Sequence, residues 1–271
     1  MKKIFFVVFA ALALFSCEET IALDIQQAEP RIIVEGLVTN QPGHQYVKLT
    51  RTIPFGSKEQ IPAVSGATVY VLDAYGAVFE YEETEPGYYL PETAFAGVPG
   101  VAYTLTIEAD GERFTAEEIM QNVPPLDSLS VREDAEERAD PEDEGRFYEV
   151  LIYGKEPQET ENFYLFKFYR NDSLFNNNGD WVFAYDDTIL GGNIQALPAP
   201  LYYAESDKAR MEMYPITRQA YRYYQDLSSN INNDGGMFSG QPANVRTNLE
   251  GGALGYFQAS VLHVLETEVN P

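Results

Sequence analysis

The amino-acid sequence predicts a mainly β protein: an N-terminal immunoglobulin-like or carboxypeptidase-regulatory-like β-sandwich, followed by a β-rich domain with one helix. Short stretches between residues 31 and 118 alternate apolar and polar side chains, and turns containing glycine separate them. Convincing helical spacing is confined to residues 217–229. Hydrophobic residues make up 45% of the chain, which is enough for a packed core and argues against general disorder.

The first domain is predicted over residues 31–123, with about seven strands. Within it, Tyr103, Leu105 and Ile107 alternate with polar residues, as expected of a half-buried strand. Asp110-Gly111 follows, between two such runs, and these residue types tolerate the positive backbone dihedrals of a two-residue hairpin turn. Short strands at this spacing, with no helix among them, are typical of a β-sandwich.

The second domain is predicted over residues 124–271. Pro124 and Pro125 mark the boundary, because two prolines withhold hydrogen-bond donors from a sheet and stiffen the backbone. The strongly acidic segment 132–146 is interpreted as a solvated loop or an edge insertion. Strands are predicted at 149–153, 163–169 and 253–265.

One helix is predicted in the second domain, over residues 217–229. Ala220, Tyr223 and Leu227 recur at helical spacing, and Thr217 is a suitable N-cap. The second half of the chain is therefore expected to be β-rich with a single helix, and it shows no internal repeat of the first half.

The N-terminus has the pattern of a bacterial export signal. Two lysines supply positive charge, residues 4–15 supply an apolar run, and Ser16 places a small residue before Cys17. This matches a lipobox, in which the signal peptide 1–16 is removed and Cys17 becomes the acylated N-terminus. The apolar run is too short for a retained transmembrane helix, which needs about 20 residues.

Cys17 is the only cysteine in the chain. Export without lipidation is the alternative, but it would leave a lone free thiol in an oxidising compartment. The segment 17–30 is short and polar, and we interpret it as the tether between the lipid and the folded part. We therefore expect a lipid-anchored protein of the outer membrane whose only added group is the N-terminal lipid on Cys17.

The chain is strongly acidic, with a formal net charge of −24 at pH 7. A field of this sign repels nucleic acids and anionic membrane surfaces, so nucleic-acid binding is excluded. The charge has two interpretations. Either it keeps the protein soluble on a crowded surface, or it attracts cations and cationic ligands.

Residues for catalysis are sparse, and no catalytic residue is assigned. The two histidines are His44, in a predicted turn, and His263, in a predicted strand where it is interpreted as a packed structural residue. No Gly-x-Ser-x-Gly elbow accompanies either histidine. A paired-carboxylate hydrolase remains an alternative, because a chain this acidic offers many carboxylate pairs.

Two patterns resemble ligand sites. Asn230, Asn232 and Asp234 mimic the first half of a calcium loop, but its twelfth position is Gln241 rather than a glutamate, so a helix-terminating turn is favoured and no metal site is assigned. Aromatic residues of the second domain are the other pattern. Those chosen as candidate ligand-binding residues are Trp181, Tyr202 and Tyr203, and further tyrosines of the possible platform are Tyr185, Tyr221 and Tyr224.

Several stretches of the chain carry a family resemblance. They are RIIVEGLVTN at 31–40, VSGATVYV at 64–71, GYYL at 87–90, GVAYTL at 100–105, LDSL at 126–129, NNDGG at 232–236 and GALGYF at 252–257. The chain resembles a family of Bacteroidetes lipoproteins classified as a domain of unknown function, of the 4249 type. The resemblance covers nearly the whole chain, and its motifs are turns and strand patterns rather than a reaction site.

The resemblance implies a function in nutrient uptake. Members look like surface or outer-membrane lipoproteins that are often encoded beside TonB-dependent receptors, and Glu18-Glu19 is similar to signals that send such proteins to the cell exterior. We expect a noncatalytic accessory or ligand-binding subunit of a TonB-dependent system. The alternatives are a surface carboxylate-dependent hydrolase and a structural or adhesion module.

Overall fold

The computed structural model describes residues 29–54, 57–155, 157, 159–176, 183–186, 193–233 and 244–270. Among these residues the chain forms seventeen strands in three sheets, together with two helices. The predicted mainly β class is therefore confirmed.

The N-terminal part forms the predicted seven strands. They are β1 (Ile32–Thr39), β2 (Tyr46–Arg51), β3 (Thr68–Asp73), β4 (Val78–Glu85), β5 (Tyr88–Pro91), β6 (Ala102–Ala109) and β7 (Glu112–Ile119). The predicted hairpin turn joins β6 to β7, and its residues Asp110 and Gly111 have φ values of 55° and 81°. Both dihedrals are positive, as a two-residue turn between right-twisted strands requires.

These strands belong to one nine-stranded sheet rather than to two facing sheets. Its order is β15-β7-β6-β3-β4-β5-β2-β1-β16, where β15 (Leu249–Glu250) and β16 (Leu254–Ser260) come from the C-terminal part of the chain. The two edges of the sheet approach each other. Ser260 at the end of β16 forms a parallel bridge with Gln121, just beyond β7. The side chain of Asn248 accepts a hydrogen bond from the main chain of Phe257 at 3.0 Å and donates one back at 2.7 Å.

The sheet is thus nearly closed, and the immunoglobulin-like or carboxypeptidase-regulatory-like detail of the prediction is not confirmed. Alternate residues of each strand point inward and fill the interior, as the two-residue period of a strand dictates. Buried interior side chains include Val34, Leu49, Val71, Leu105, Ile107 and Phe257. The other face of β1, β2 and β16 is covered by the second part of the molecule.

The second part is built from two further sheets. Its strands are β8 (Leu126–Glu133), β9 (Tyr148–Lys155), β10 (Phe163–Arg170), β11 (Ser173–Leu174), β12 (Phe183–Asp186), β13 (Asn193–Pro198), β14 (Lys208–Ile216) and β17 (His263–Glu268). One sheet has the order β13-β9-β8, and the other has β11-β10-β14-β17 with β12 paired to β10. An aromatic and methionine-rich core lies between them, and it includes Ile152, Phe166, Met211, Met213 and Tyr203.

Two helices accompany these strands in the described part of the chain. The short helix α1 (Ala135–Ala139) lies in the acidic segment 132–146 and buries no residue, which fits the predicted solvated insertion. The longer helix α2 (Arg218–Ile231) confirms the helix predicted at 217–229. Thr217 is its N-cap, and the Thr217 hydroxyl accepts a hydrogen bond from the main-chain N–H of Ala220 at 3.1 Å.

The chain crosses three times between the two parts, because β17, which follows β16, belongs to the second part again. It leaves the first sheet at Ile119 and enters β8 at Leu126, and the predicted boundary at Pro124-Pro125 lies in between. After helix α2 it returns, because β15 and β16 pair with β7 and β1. Residues 249–260 therefore belong to the first sheet, although the predicted boundary had assigned them to the second domain. The predicted closing strand 253–265 is two strands, β16 and β17.

A candidate functional site: a tyrosine-lined cavity where three elements meet

A cavity of about 150 Å³ lies where the outer face of the first sheet meets helix α2 and the five-stranded sheet. We call it the joint cavity. Five tyrosines line it, and they come from four strands or helices that are far apart in the sequence: Tyr46 on β2, Tyr214 on β14, Tyr223 and Tyr224 on α2, and Tyr256 on β16. Its other lining residues are Ile33, Val34, Glu35, Gly36, Leu37, Leu165, Lys167, Leu227 and Gln258.

The strand register places the first-sheet residues side by side. Glu35 lies opposite Tyr256 of β16, and two residues further along β1, Leu37 lies between Gln258 and Tyr46. Because residues i and i+2 of a strand share a face, these side chains form two adjacent rows on the outer face of the sheet. The rows make one wall of the joint cavity.

Helix α2 and the five-stranded sheet make the opposite walls. Tyr223, Tyr224 and Leu227 lie on one side of the helix, because residues three and four apart are neighbours on a helix surface. Leu165 and Tyr214 are paired across β10 and β14 and face the helix rather than the core between the sheets. Every described residue that lines the cavity therefore belongs to a strand or to helix α2.

Four of the five tyrosine hydroxyls donate hydrogen bonds to side-chain acceptors. Tyr46 donates to Glu35 at 2.6 Å, Tyr224 to Gln258 at 2.7 Å, Tyr214 to Glu212 at 2.8 Å and Tyr256 to Glu118 at 2.6 Å. These bonds hold the rings in place, since a buried hydroxyl left without a partner is costly. The walls of the joint cavity are thus preorganised.

The tyrosines of the joint cavity stay neutral at physiological pH. Burial, followed by a smaller effect of the Glu35 carboxylate, raises the pKa of Tyr223 to about 12. The pKa values of Tyr46 and Tyr256 are raised further, again chiefly by burial and then by the adjacent Glu35 and Glu118 carboxylates respectively. The hydroxyls therefore act as hydrogen-bond donors rather than as phenolates.

Glu118 is a buried carboxyl that ties the two parts of the molecule together. Its Oε2 accepts hydrogen bonds from Tyr256 of β16 and, at 3.1 Å, from Thr217, the N-cap of helix α2. Burial raises the pKa of Glu118 above its ordinary value of 4.5, and the hydrogen bonds from Tyr256, from the main chain of Ile119 and from Thr217 oppose this rise only in part.

We expect Glu118→Gln to change how stability depends on pH. Above pH 4.5, folded Glu118 holds its proton more tightly than unfolded Glu118, so its contribution to the free energy of unfolding falls as pH rises through the raised pKa. Glutamine does not titrate. The stability of Glu118→Gln relative to the wild type should therefore increase from pH 4 to pH 7, as measured by urea unfolding at each pH.

The exposed neighbour Glu117 supplies the control for this experiment. Glu117→Gln should show a much smaller pH-dependent difference from the wild type than Glu118→Gln, because the Glu117 side chain is exposed and its charge is the smallest of the named influences on the pKa of Glu118. A Glu118→Gln variant whose stability ran parallel to the wild type across this range would show that burial of Glu118 does not control its titration.

Comparison with protein families shows which family this chain belongs to. The family described as "Domain of unknown function (DUF4249)" matches residues 18–263. The chain belongs to this family. The match covers the nine-stranded sheet, helix α2 and every residue that lines the joint cavity.

Other comparisons add little to this membership. No curated protein matches the chain. A crystal structure of a DUF4785 family protein from Legionella pneumophila is similar over 69% of this chain and 51% of that one, at 5% identity and a TM-score of 0.22. The chain thus spans about half the length of that protein, and a likeness at this level carries no argument about function.

Of the predicted ligand-binding residues, neither Tyr202 nor Tyr203 lines the joint cavity. Tyr203 is 1% exposed and belongs to the core between the two sheets of the second part, where its main chain pairs with Tyr148. Tyr202 is half-buried, and its hydroxyl donates to Asp134 at 3.1 Å. Trp181 and the lipidation site Cys17 lie outside the described residues.

The remaining candidates have structural positions. Asn230 lies in the last turn of helix α2 and Asn232 is its C-cap, as expected of a helix-terminating turn, while Asp234 lies outside the described residues. His263 Nε2 lies 3.1 Å from the carbonyl oxygen of Val123, and burial lowers the pKa of this half-buried histidine. His44 is exposed in the predicted turn.

Metal ligands and membrane-spanning helices are both missing from the ranges that the structure describes. Within those ranges, no group of three or more His, Cys, Asp or Glu residues is placed to hold a metal ion. Neither helix of the same ranges has the length and apolar composition needed to cross a membrane.

Sequence reasoning named only one of the five tyrosines of the joint cavity, Tyr224, as part of a possible aromatic platform. The others stand in unremarkable strand or helix patterns, where an aromatic residue usually fills a core. One local pattern did point to a site. Tyr223 and Tyr224 are adjacent on the predicted helix, and adjacent residues of a helix point in different directions, so one face cannot bury both rings equally. Nothing local connects them to Tyr46 or Tyr256.

Proposed function

We propose that the protein is a lipid-anchored outer-membrane protein, exposed to the cell exterior, that serves as a noncatalytic accessory or ligand-binding subunit of a TonB-dependent nutrient uptake system. The joint cavity carries the binding part of this proposal. It is a concave site with apolar and aromatic walls and a few convergent polar groups, which is the composition of small-molecule sites.

Binding is favoured over catalysis because the Glu118 and Glu212 carboxylates hold tyrosines of the joint cavity without lining it themselves. The Glu118 and Glu212 carboxylates accept hydrogen bonds from Tyr256 and Tyr214, and the Gln258 side chain accepts one from Tyr224. Groups engaged in this way fix the walls of a site. A general acid or base would instead need to reach the reacting atoms of a substrate.

The anchoring part of the proposal rests on the sequence around Cys17. A charged start, a short apolar run and a small residue before a single cysteine form a lipobox. The link to a TonB-dependent receptor rests on the resemblance to lipoproteins encoded beside such receptors.

We expect Cys17→Ala to abolish membrane anchoring. Without the thiol no lipid is attached, so the variant should take up no fatty-acid probe in metabolic labelling and should leave the membrane fraction or accumulate as a precursor. Ser16→Ala keeps a small residue before the cysteine and should be labelled like the wild type. Equal labelling of wild type and Cys17→Ala would remove the anchor from the proposal.

Partnership with a receptor is tested by co-purification. The tagged full chain, extracted from outer membranes in a mild detergent, should bring down a TonB-dependent receptor in an approximately fixed ratio. Deletion of the gene should reduce uptake through that receptor while leaving receptor levels unchanged. Recovery of adhesins or other surface proteins in place of a receptor would favour the structural alternative.

A further inference from the structure

Two side chains of opposite charge line the joint cavity without an ionic partner among the described residues. Glu35 accepts a hydrogen bond from Tyr46 on Oε1 and forms no ion pair, although Lys48 stands opposite it on β2. Lys167 also forms no ion pair, and its Nζ lies 5.2 Å from the centre of the Tyr214 ring. The residue opposite Lys167 on β14 is Glu212, whose carboxylate already accepts hydrogen bonds from Arg210 and two tyrosines.

The space around these charges is apolar and small. Ile33, Leu37, Leu165 and Leu227 line it together with the tyrosine rings. Its volume is about 150 Å³. A cavity of roughly this volume holds a benzene-sized molecule, so one side chain or one small ring fits and an oligosaccharide does not.

We propose that the joint cavity binds a free apolar α-amino acid, with the ammonium group at Glu35, the carboxylate at Lys167 and the side chain among the leucines and tyrosine rings. The inference rests on the proposed function and names the class of nutrient that the site takes. A ligand with both charges pairs both cavity residues, whereas a purely cationic or anionic ligand pairs only one of them and a neutral ligand pairs neither.

The aromatic walls support the ammonium end of this arrangement. Tyr46 is stacked on Tyr88 with ring centroids 5.6 Å apart, and Tyr46, Tyr88 and Tyr223 are all close enough to Glu35 for its charge to raise their pKa values. Tyrosine faces attract an ammonium group, and the carboxylate supplies a charge-assisted hydrogen bond. Tyr88 extends this surface from β5, next to Tyr46.

Calorimetric titration of the full chain in detergent tests the proposal with four probes. L-phenylalanine and L-leucine should bind. N-acetyl-L-phenylalanine, which lacks the ammonium group, and L-phenylalaninamide, which lacks the carboxylate, should each bind about 10- to 100-fold more weakly than L-phenylalanine, the range expected for a hydrogen bond to a charged group. This series needs no substitution in the protein.

Two variants assign the charges. Glu35→Gln should weaken L-phenylalanine binding and remove the difference between L-phenylalanine and its N-acetyl derivative, because the lost interaction is the same one. Lys167→Met should likewise remove the difference between L-phenylalanine and its amide. The exposed residues Glu112 and Lys155 do not line the cavity, so Glu112→Gln and Lys155→Met should bind like the wild type.

The proposal is overturned if the wild type binds neither L-phenylalanine nor L-leucine, if the derivatives bind as well as the free amino acids, or if the matched controls lose affinity as much as the cavity variants. These results are separate from those on the receptor. A receptor that co-purifies with a protein unable to bind amino acids leaves the accessory function standing and removes only the ligand class. Amino-acid binding by a protein that brings down no receptor supports the ligand class and removes the accessory function.

Discussion

Replacing Gly255 with alanine is expected to lower the free energy of unfolding by roughly 4 kcal/mol, because a left-handed backbone costs about 1–3 kcal/mol for a residue with a side chain and overpacking costs a similar amount. Gly255 has a φ of +95°. A Cβ there would overlap the carbonyl oxygen of Val34 and lie 2.8 Å from its carbonyl carbon. Both atoms are main chain of the paired strand β1, so the overlap is not relieved by a rotamer change.

Gly252→Ala is the matched control for this prediction. Gly252 has a φ of +91°, yet nothing lies within 4 Å of the position that an added Cβ would take. It therefore shares the backbone strain of Gly255 but not the overlap with β1. Urea unfolding should show a loss of about 1–3 kcal/mol for Gly252→Ala and a clearly larger loss for Gly255→Ala. Equal losses would mean that β16 does not approach β1 as closely as the register indicates.

This close approach belongs to the part of the fold that the sequence could not predict. The strands β1 to β7 and the hairpin at Asp110-Gly111 follow from alternation and turn chemistry, which are local properties of the chain. The pairing of β16 with β1 joins residues more than two hundred positions apart. The alternation of apolar and polar residues indicates which face of a strand is buried, but it does not indicate which strand lies beside it.

The same limit explains why the sandwich detail was not confirmed while the strand count was. Seven short strands with turns suit a sandwich and a curled single sheet equally well. What decides between them is the return of residues 249–260, which adds β15 and β16 to the two edges of the sheet. The prolines at 124 and 125 lie between β7 and β8, and they carry no information about the return of the chain to the first sheet.

The predicted ligand-binding residues Tyr202 and Tyr203 lie in an irregular segment, whereas the tyrosines of the joint cavity lie in strands and a helix. Tyr202 and Tyr203 were chosen because they lie in an irregular segment, where aromatic residues often serve binding. In the structure Tyr203 is core, and the tyrosines of the joint cavity come from strands and a helix. A cavity between packed elements has no signature in any one segment, because each contributing strand or helix displays the same pattern as one that buries its aromatic residue completely.

Truncating Glu212 is the second change expected to have a large effect. Glu212 is 4% exposed, and its side chain accepts three hydrogen bonds: from Tyr169 at 2.9 Å, from Tyr214 at 2.8 Å and from Arg210 at 2.9 Å. Glu212→Ala leaves these three donors without their acceptor. We expect a loss of about 3 kcal/mol, the lower end of the range for breaking a buried ion pair, because Arg210 remains partly solvated.

Two further variants separate the causes of this loss. Glu212→Gln keeps an oxygen acceptor for the two tyrosine hydroxyls, which share Oε2, but it removes the charge and the acceptor opposite Arg210, so it should cost about 1–2 kcal/mol. Glu268→Ala removes an exposed carboxylate from the same sheet and should change stability by less than about 0.5 kcal/mol. Because Tyr214 forms a wall of the joint cavity, Glu212→Ala should also weaken L-phenylalanine binding. A variant as stable as Glu268→Ala would contradict the assigned role of Glu212 in holding that wall.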